Sequence, residues 1–287
     1  MRLTVRRRAA RQSAVDSSPF PRLRLGIAGA LGHTGCAVMA LAAARQDMEL
    51  SAAFDRPESG GERVGDFSLT TAKDALGTCD VIVDFSTATA SAALARTAAK
   101  HGSPALIIGS TGFTADEEAA IAGAARTIAI VKSGNFSLGI NLLAALVEQA
   151  AARLPAADWD IEILEAHHRR KTDAPSGTAL MLGEASARGR GRALAKVSIR
   201  GRDGQTGARP EDAIGFASLR GGGLVGEHSV ILAAEDEILT LSHSARDRRL
   251  FARGALEAAL WVRGKPPNLY DMRDVLGFGG SAATLAP

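Results

Sequence analysis

R-L-R-L-G-I-A-G-A-L-G-H-T-G, residues 22–35, reads as a strand that turns directly into a helix. Leu23, Leu25 and Ile27 recur with the period of two expected of a pleated strand, and Gly29, Gly32 and Gly35 then mark a turn. Val38, Met39, Leu41 and a run of alanines continue it as a helix. The helix start leaves backbone amides without partners, and its dipole favours an anion there. A glycine turn joins many strands to helices for packing reasons alone. Here a second apolar strand, Leu50 to Phe54, ends at Asp55. A carboxylate at that position accepts from ribose hydroxyls while the amides meet pyrophosphate, so the pair of features points to a dinucleotide site.

The same alternation continues outward. Thr70 to Leu76 suits a short helix, Val81 to Phe85 a buried strand, Thr89 to Lys100 a helix and Ala105 to Ile108 another strand. Thr114 and Glu117 form a capping box for the next helix, and Ile128 to Val131 gives a further strand. Strands alternating with helices imply right-handed crossovers and a parallel sheet that binds ligands at its carboxyl edge. The loops at Gly109 to Gly112 and Ser133 to Ser137 belong to that edge.

A long helix from Leu138 to Leu154 stops at Pro155, and the pattern then changes. Trp159, Ile161 and Ile163 mark a half-buried strand. After one more helix come clustered strands at Val197 to Arg200, Ile214 to Leu219, Glu227 to Ala233 and Leu239 to His243. The fold expected is therefore α/β: a Rossmann-type parallel-sheet nucleotide domain, residues 22–137 and 244–287, with a second α+β domain of mixed or antiparallel sheet, residues 138–243. Phe251, Leu256, Leu260 and Trp261 mark a late helix that returns to the first domain, and Gly201 to Arg209 suits an exposed, mobile loop.

The chemistry concentrates in E-A-H-H-R-R-K-T-D-A-P-S-G-T-A, from Glu165 to Ala179. His167, His168, Arg169, Arg170 and Lys171 follow a strand end, and Pro175 to Thr178 turn into a helix start whose amides can hold a carboxylate. Basic groups beside free amides suit an anionic substrate with more than one carboxylate, and Lys and His can supply protons. The competing reading is a solvated basic turn.

Bulk properties set bounds. The 287 residues suffice for two cores, and 46% hydrophobic with 23% charged residues leaves no apolar run long enough for a bilayer. A net charge of +3, owed largely to Arg6, Arg7, Arg8 and Arg11, does not indicate nucleic-acid binding. Cys36 and Cys79 have no metal-ligand spacing, so no metal is expected and a reduced cytoplasmic setting is favoured. Residues 1–21 read as a disordered basic tail, equally compatible with a transit peptide or an over-long assigned start.

The Glu165 to Ala179 string resembles the signature of the dihydrodipicolinate reductases of bacterial lysine biosynthesis. The resemblance extends over the chain after the tail: G-I-A-G-A-L-G-H-T-G from Gly26, V-D-F-S from Val83, I-G-S-T-G-F from Ile108, G-N-F-S-L-G from Gly134, R-G-G-G-L-V-G-E-H from Arg220 and Y-D-M-R-D-V-L from Tyr270 occur in the family's order. It implies reduction of 4-hydroxy-tetrahydrodipicolinate, a small cyclic dicarboxylate, by NADH or NADPH. By the same resemblance His167 is the proton donor and acceptor, Lys171 the second proton donor, and His168, Gly177 and Thr178 contact substrate. Cofactor contacts would fall to Gly29, Ala30, Leu31, Gly32, His33, Thr34, Asp55, Arg56, Gly109, Ser110, Thr111, Ser133, Gly134, Asn135 and Phe136. It also implies a homotetramer built through the second domain's sheet. One departure is visible: many members have Arg-Met where His33 and Thr34 stand, which bears on contact with a cofactor 2′-phosphate.

Two other functions fit parts of the pattern. One is another two-domain nicotinamide dehydrogenase acting on an amino acid, and the other is a catalytically inactive nucleotide or redox sensor, which would have no need of His167 and Lys171. Glu165 is expected to orient His167 or Lys171, whereas His228 and His243, lying in predicted strands, are expected to be structural.

Overall fold

The computed structural model describes residues 21–279. The basic tail therefore lies outside the described residues except for Pro21. In chain order the elements are β1 (Leu23–Ala28), α1 (His33–Ala43), β2 (Met48–Phe54), β3 (Arg63–Val64), β4 (Phe67–Ser68), α2 (Ala72–Thr78), β5 (Val81–Asp84), α3 (Ala88–His101), β6 (Ala105–Ile108), α4 (Ala115–Ala124) and β7 (Ala129–Lys132). There follow α5 (Leu138–Arg153), β8 (Asp160–His167), α6 (Gly177–Gly189), α7 (Leu194–Val197), β9 (Ser198–Ile199), β10 (Ile214–Arg220), β11 (Gly226–Ala233), β12 (Ile238–Ala245), α8 (Arg249–Val262), β13 (Asn268–Tyr270) and α9 (Met272–Val275).

The first sheet has the order β13-β7-β6-β5-β1-β2, and every pairing in it is parallel. Its two faces carry separate cores. Leu25, Ile27, Val83 and Val131 pack toward α1 and α8, while Ile82, Leu106, Ile108 and Ile130 pack toward α3 and α4. These strands are short apolar runs because both faces are covered. The glycines answer a steric need: a Cβ on Gly35 would overlap the Gly29 carbonyl oxygen, and Gly29 itself has φ +75° with Phe85 O only 2.7 Å from where its Cβ would be. Thr114 and Glu117 do form the capping box of α4. Past β12 the chain goes back to this sheet, since α8 packs on α1 and β13 pairs with β7.

The second sheet, β12-β11-β8-β10-β9, is mixed: β8, β10 and β9 run parallel, and β11 is antiparallel to both β8 and β12. Ile161, Ile163, Ile214, Phe216, Val230 and Leu232 face α5 and α6 and form a third core. The other face carries no helix among the described residues and exposes Leu164, Leu219 and Ile238.

The structure corrects two expectations from the sequence. The strand expected at Val197 to Arg200 is a helical turn followed by two paired residues, because Leu194 is drawn into the third core and only Ser198 and Ile199 reach β10. The loop at Gly201 to Arg209 is exposed but tied down. Arg202 forks onto Glu162 at 2.9 and 2.8 Å, and Arg209 bonds Glu162, Asp160 and three backbone carbonyls.

Candidate active site

Period two decides the centre of the site. Ile161 and Ile163 of β8 face the core, so Glu165 and His167 continue on the same face to the strand's carboxyl end. Their side chains meet, with His167 Nδ1 2.6 Å from Glu165 Oε2. Glu165 is 1% exposed and takes three further bonds: both arms of Arg220 at 2.7 Å and the Ser176 amide at 3.1 Å. Burial alone would raise its pKa, but the Arg220 fork and then His167 outweigh it and hold the carboxyl down to about 2. Glu165 is therefore an anion that accepts from His167 Nδ1–H, which fixes the tautomer and leaves Nε2 free. Of the two partners expected for Glu165, His167 and Lys171, the geometry gives it His167, while Lys171 bonds Asp173.

Strand pairing brings in residues that sequence reasoning leaves out. Arg220 on β10 pairs in register with His167, His228 on β11 with Glu165, and His243 on β12 with His228. The structure thus lines His228 and His243 up beside His167 in one cleft, although each reads, within its own strand, as an isolated structural residue. The His167 and His228 rings meet edge to face at 5.1 Å. His228 Nε2 lies 3.1 Å from Ser176 Oγ, which also caps α6 by accepting from the Ala179 amide. Burial, then the neighbouring His167, pushes His228 down to about 4, so it is neutral near pH 7. His243 packs against Gly139, where a Cβ would stand 2.9 Å from its ring. Arg248 is the other missed residue: it stands before α8 and reaches His168 Nε2 at 3.1 Å.

The basic turn is held by the glycine turn after β10. His168 N donates to Leu224 O at 2.9 Å, and Gly221 N to His167 O at 2.9 Å. Lys171 faces the cleft with its ammonium 2.8 Å from both oxygens of Asp173, whose carboxyl it holds below the usual range. Gly177 and Thr178 open α6, so their amides point out of a helix N-terminus. The cleft encloses about 830 Å³ and is lined by both halves of the molecule, His167, His168, Lys171, Gly177 and Thr178 from one and Thr111, Ser133, Gly134 and Asn135 from the other. Asn135 Nδ2 links the two sets by donating to Thr178 Oγ1 at 3.0 Å.

Sheet order arranges the remaining predicted residues. Across β2, β1, β5, β6 and β7 the carboxyl-edge loops carry in turn Asp55, the Gly29 to Thr34 turn, Phe85, Gly109 to Thr111, and Ser133 to Phe136. Adjacent strands lie about 4.8 Å apart, so the line from Asp55 to Asn135 spans roughly 20 Å, enough for an extended dinucleotide. Asp55 Oδ2 accepts from Leu31 N at 2.9 Å, which pins the glycine turn to the end of β2. Arg56 is 68% exposed in its side chain, with Asp55 and Glu58 oxygens 3.8 and 3.7 Å from its Nε. Phe85 lies within the V-D-F-S motif but outside the residues expected to contact cofactor, and it is the hub of this edge. Its carbonyl backs Gly29, and its ring covers Gly109 and meets Phe136 edge-on at 5.7 Å. Phe136 is 1% exposed, so it shapes the edge from within, and Ser110, 7% exposed, reaches its surface only in part. No group of three or more His, Cys, Asp or Glu side chains among the described residues is placed to hold a metal.

Comparison with known proteins agrees along the chain. The family described as dihydrodipicolinate reductase, N-terminus, matches residues 23–136, and its C-terminus counterpart matches residues 139–276. The 4-hydroxy-tetrahydrodipicolinate reductase of Caulobacter vibrioides is 59% identical over 256 residues, covering 89% of this chain and 98% of that protein. The enzyme of the same name from Rhizobium rhizogenes is 52% identical over 266 residues, covering 89% and 97%. Among solved structures, a dipicolinate-bound dihydrodipicolinate reductase from Paenisporosarcina superposes with a TM-score of 0.72 at 25% identity, covering 87% of this chain and 97% of that one.

Proposed function

The chain belongs to the dihydrodipicolinate reductase family, and on that premise we propose that its cleft reduces 4-hydroxy-tetrahydrodipicolinate to tetrahydrodipicolinate, in the route to diaminopimelate and lysine, with NADH or NADPH. The observation that carries the mechanism is the Glu165–His167 pair beneath a cleft bridged by Asn135 and Thr178. Asp55, the Gly29 to Thr34 turn and the loop carrying Asn135 would hold the nucleotide, which when bound would supply the hydride. The chain does the rest. Thr178, the Gly177 and Thr178 amides, His168 and Lys171 receive the two carboxylates, which explains why cations and helix-end amides converge there.

Glu165 holds the proton on His167 Nδ1, so Nε2 is the atom that exchanges a proton with substrate. Lys171 is the second donor; Asp173 stores its ammonium at the cleft edge until the dicarboxylate competes for it. His228, neutral and bonded to Ser176, fills the space behind His167 without adding charge. We assign residues 22–137 and 244–287 to the nucleotide domain and 138–243 to the substrate domain. The exposed face of the second sheet, with Leu164, Leu219 and Ile238, is the surface we assign to homotetramer assembly, in a cytoplasmic setting.

The direct test couples the purified protein to a dihydrodipicolinate synthase and follows loss of reduced-nicotinamide absorbance. Synthase-dependent oxidation of the nucleotide is expected. Oxidation with an amino-acid or keto-acid substrate instead would return the function to the wider class of two-domain dehydrogenases.

A further inference from the structure

Asp84, at the end of β5, is 0% exposed and belongs to none of the contacts assigned above. Its Oδ1 accepts from the Ser86 amide at 2.8 Å and the Ser86 hydroxyl at 2.5 Å, while Oδ2 is buried with no hydrogen-bond partner among the described residues. From Ser86 a line of hydroxyls continues, with Ser86 Oγ 3.5 Å from Ser91 Oγ and Ser91 Oγ 2.7 Å from Ser110 Oγ. Ser91 is 0% exposed and Ser110 is 7% exposed, so the line runs from the sheet interior to the loop after β6. We propose that Asp84 is a positioning residue for the nucleotide: it terminates a hydroxyl chain whose polarity makes Ser110 a hydrogen-bond acceptor toward the nicotinamide carboxamide.

The polarity follows from counting protons. The Ser86 amide already donates to Oδ1, so that oxygen is the unprotonated one and the Ser86 hydroxyl must donate to it as well. Ser86 then has only lone pairs for Ser91, so in the proposed chain Ser91 directs its one proton toward Ser86 and the Asp84 carboxyl, and Ser110 directs its own to Ser91. What remains on Ser110 is acceptor capacity. An acceptor has nothing to offer a phosphate, but it suits an amide NH₂. Burial pushes the Asp84 carboxyl up, against the hydrogen bonds from the nearby serines, and because the Ser86 amide fixes Oδ1 as an acceptor the direction of the chain is the same with or without a proton on Oδ2.

Position agrees with polarity. β6 lies two strands from β1 on the side away from β2, and Thr111, next to Ser110, lines the cleft that holds His167. Ser110 thus sits at the nicotinamide end of the line, away from the pyrophosphate turn. Asp84 also sets Phe85, the residue on which Gly29, Gly109 and Phe136 all rest, because its backbone carbonyl takes the Gly109 amide at 2.8 Å.

This inference rests on the nucleotide assignment above, and its test separates the two. Dissociation constants for NADH and for the reduced 3-acetylpyridine analogue, which lacks the carboxamide NH₂, are measured by fluorescence titration of the protein without substrate. Ser110→Ala is expected to weaken NADH by about 5-fold to 10-fold, the scale of one hydrogen bond, and to leave the analogue within about twofold. Asp84→Asn, which keeps an acceptor oxygen toward Ser86, is expected to bind NADH like the wild type, whereas Asp84→Ala is expected to follow Ser110→Ala. Equal loss for both nucleotides in Ser110→Ala, or an Asp84→Asn as weak as Asp84→Ala, would overturn the proposal while leaving nucleotide binding intact. Should Asp84→Ala not fold, Ser110→Ala and Asp84→Asn still decide it. A wild-type protein that bound neither nucleotide would remove the underlying assignment itself.

Discussion

At the residue scale the site depends on how the two nitrogens of His167 are used. Nδ1 is committed to Glu165, and Nε2 faces the cleft across Gly226, where an added Cβ would stand 3.1 Å from it. We expect His167→Ala and Lys171→Ala each to lower turnover by about 100-fold or more, the scale of a positioned acid or base, with the NADH dissociation constant nearly unchanged. Steady-state kinetics beside a nucleotide titration checks both halves; wild-type turnover in both variants would exclude this chemistry. Glu165 adds a dependence on pH. Its folded pKa, about 2, lies below its ordinary value of 4.5, so the stability it contributes is fully present above about pH 4.5 and is lost as pH falls toward 2. Acid unfolding followed by circular dichroism should therefore show Glu165→Gln less stable than wild type at pH 7, with the gap narrowing between those two values. A gap that stayed constant would mean that the carboxylate's charge contributes nothing. The pairing of Glu165 with His167 was legible because residues two apart on a strand share a face. His228 and His243 were not, because their place beside His167 depends on which strands pair and in what register, and no local pattern encodes that.

At the element scale the parallel sheet was legible from its alternation of apolar strands with capped helices, since each such strand must be buried on both faces. The short pieces were not. β3, β4 and β9 have two residues each and β13 three, too few for any periodicity; β9 and β13 exist because β10 and β7 offer them a free edge, and β3 and β4 pair only with each other. The edge at β2 also refines the nucleotide choice. On the proposed assignment Asp55 would accept from a ribose 2′-hydroxyl and repel a 2′-phosphate, Arg56 would attract that phosphate, and the structure adds Glu58, 3.7 Å from the Arg56 Nε, as a competitor for it. We expect NADH to be used as well as NADPH or better, by no more than about 100-fold. Arg56→Ala should harm NADPH use more than NADH use, and Glu58→Gln should improve NADPH use alone. The ratio of kcat/KM for the two nucleotides at low ionic strength decides it; a strong NADPH preference surviving Arg56→Ala would point to His33 or another cation. At the start of β11, Gly226→Ala should lower kcat by about 10-fold to 100-fold by crowding His167 Nε2, a cost typical of a misplaced reacting group. Its nucleotide affinity, read in the same titration, should hold.

At the scale of the whole molecule the second sheet presents two faces of opposite character. The face toward α5 and α6 carries the third core and, at its end, Glu165 and His167. The other face has no helix over it among the described residues, although Leu164 is 43%, Leu219 51% and Ile238 68% exposed. Alternation along β8 explains the split: even-numbered residues point away from the core, and Leu164 interrupts what would otherwise be the polar side of the strand. Burying a leucine contributes about 1.5–3 kcal/mol relative to leaving it in water, so several such side chains per protomer favour association through this face. Glu162, on the same face, is already paired with Arg202 and Arg209, which removes the cost of covering an unpaired charge. We therefore expect a tetramer in solution by size-exclusion chromatography with light scattering. Leu164→Glu combined with Leu219→Glu should give smaller species, because a carboxylate facing its counterparts in a dry contact must be desolvated without a partner. The same double variant should still bind NADH, since the edge proposed for the nucleotide belongs to the other sheet. A wild-type protein that ran as a monomer, or a double variant that stayed tetrameric, would show that assembly does not use this face, and the exposed leucines would then need a different cover.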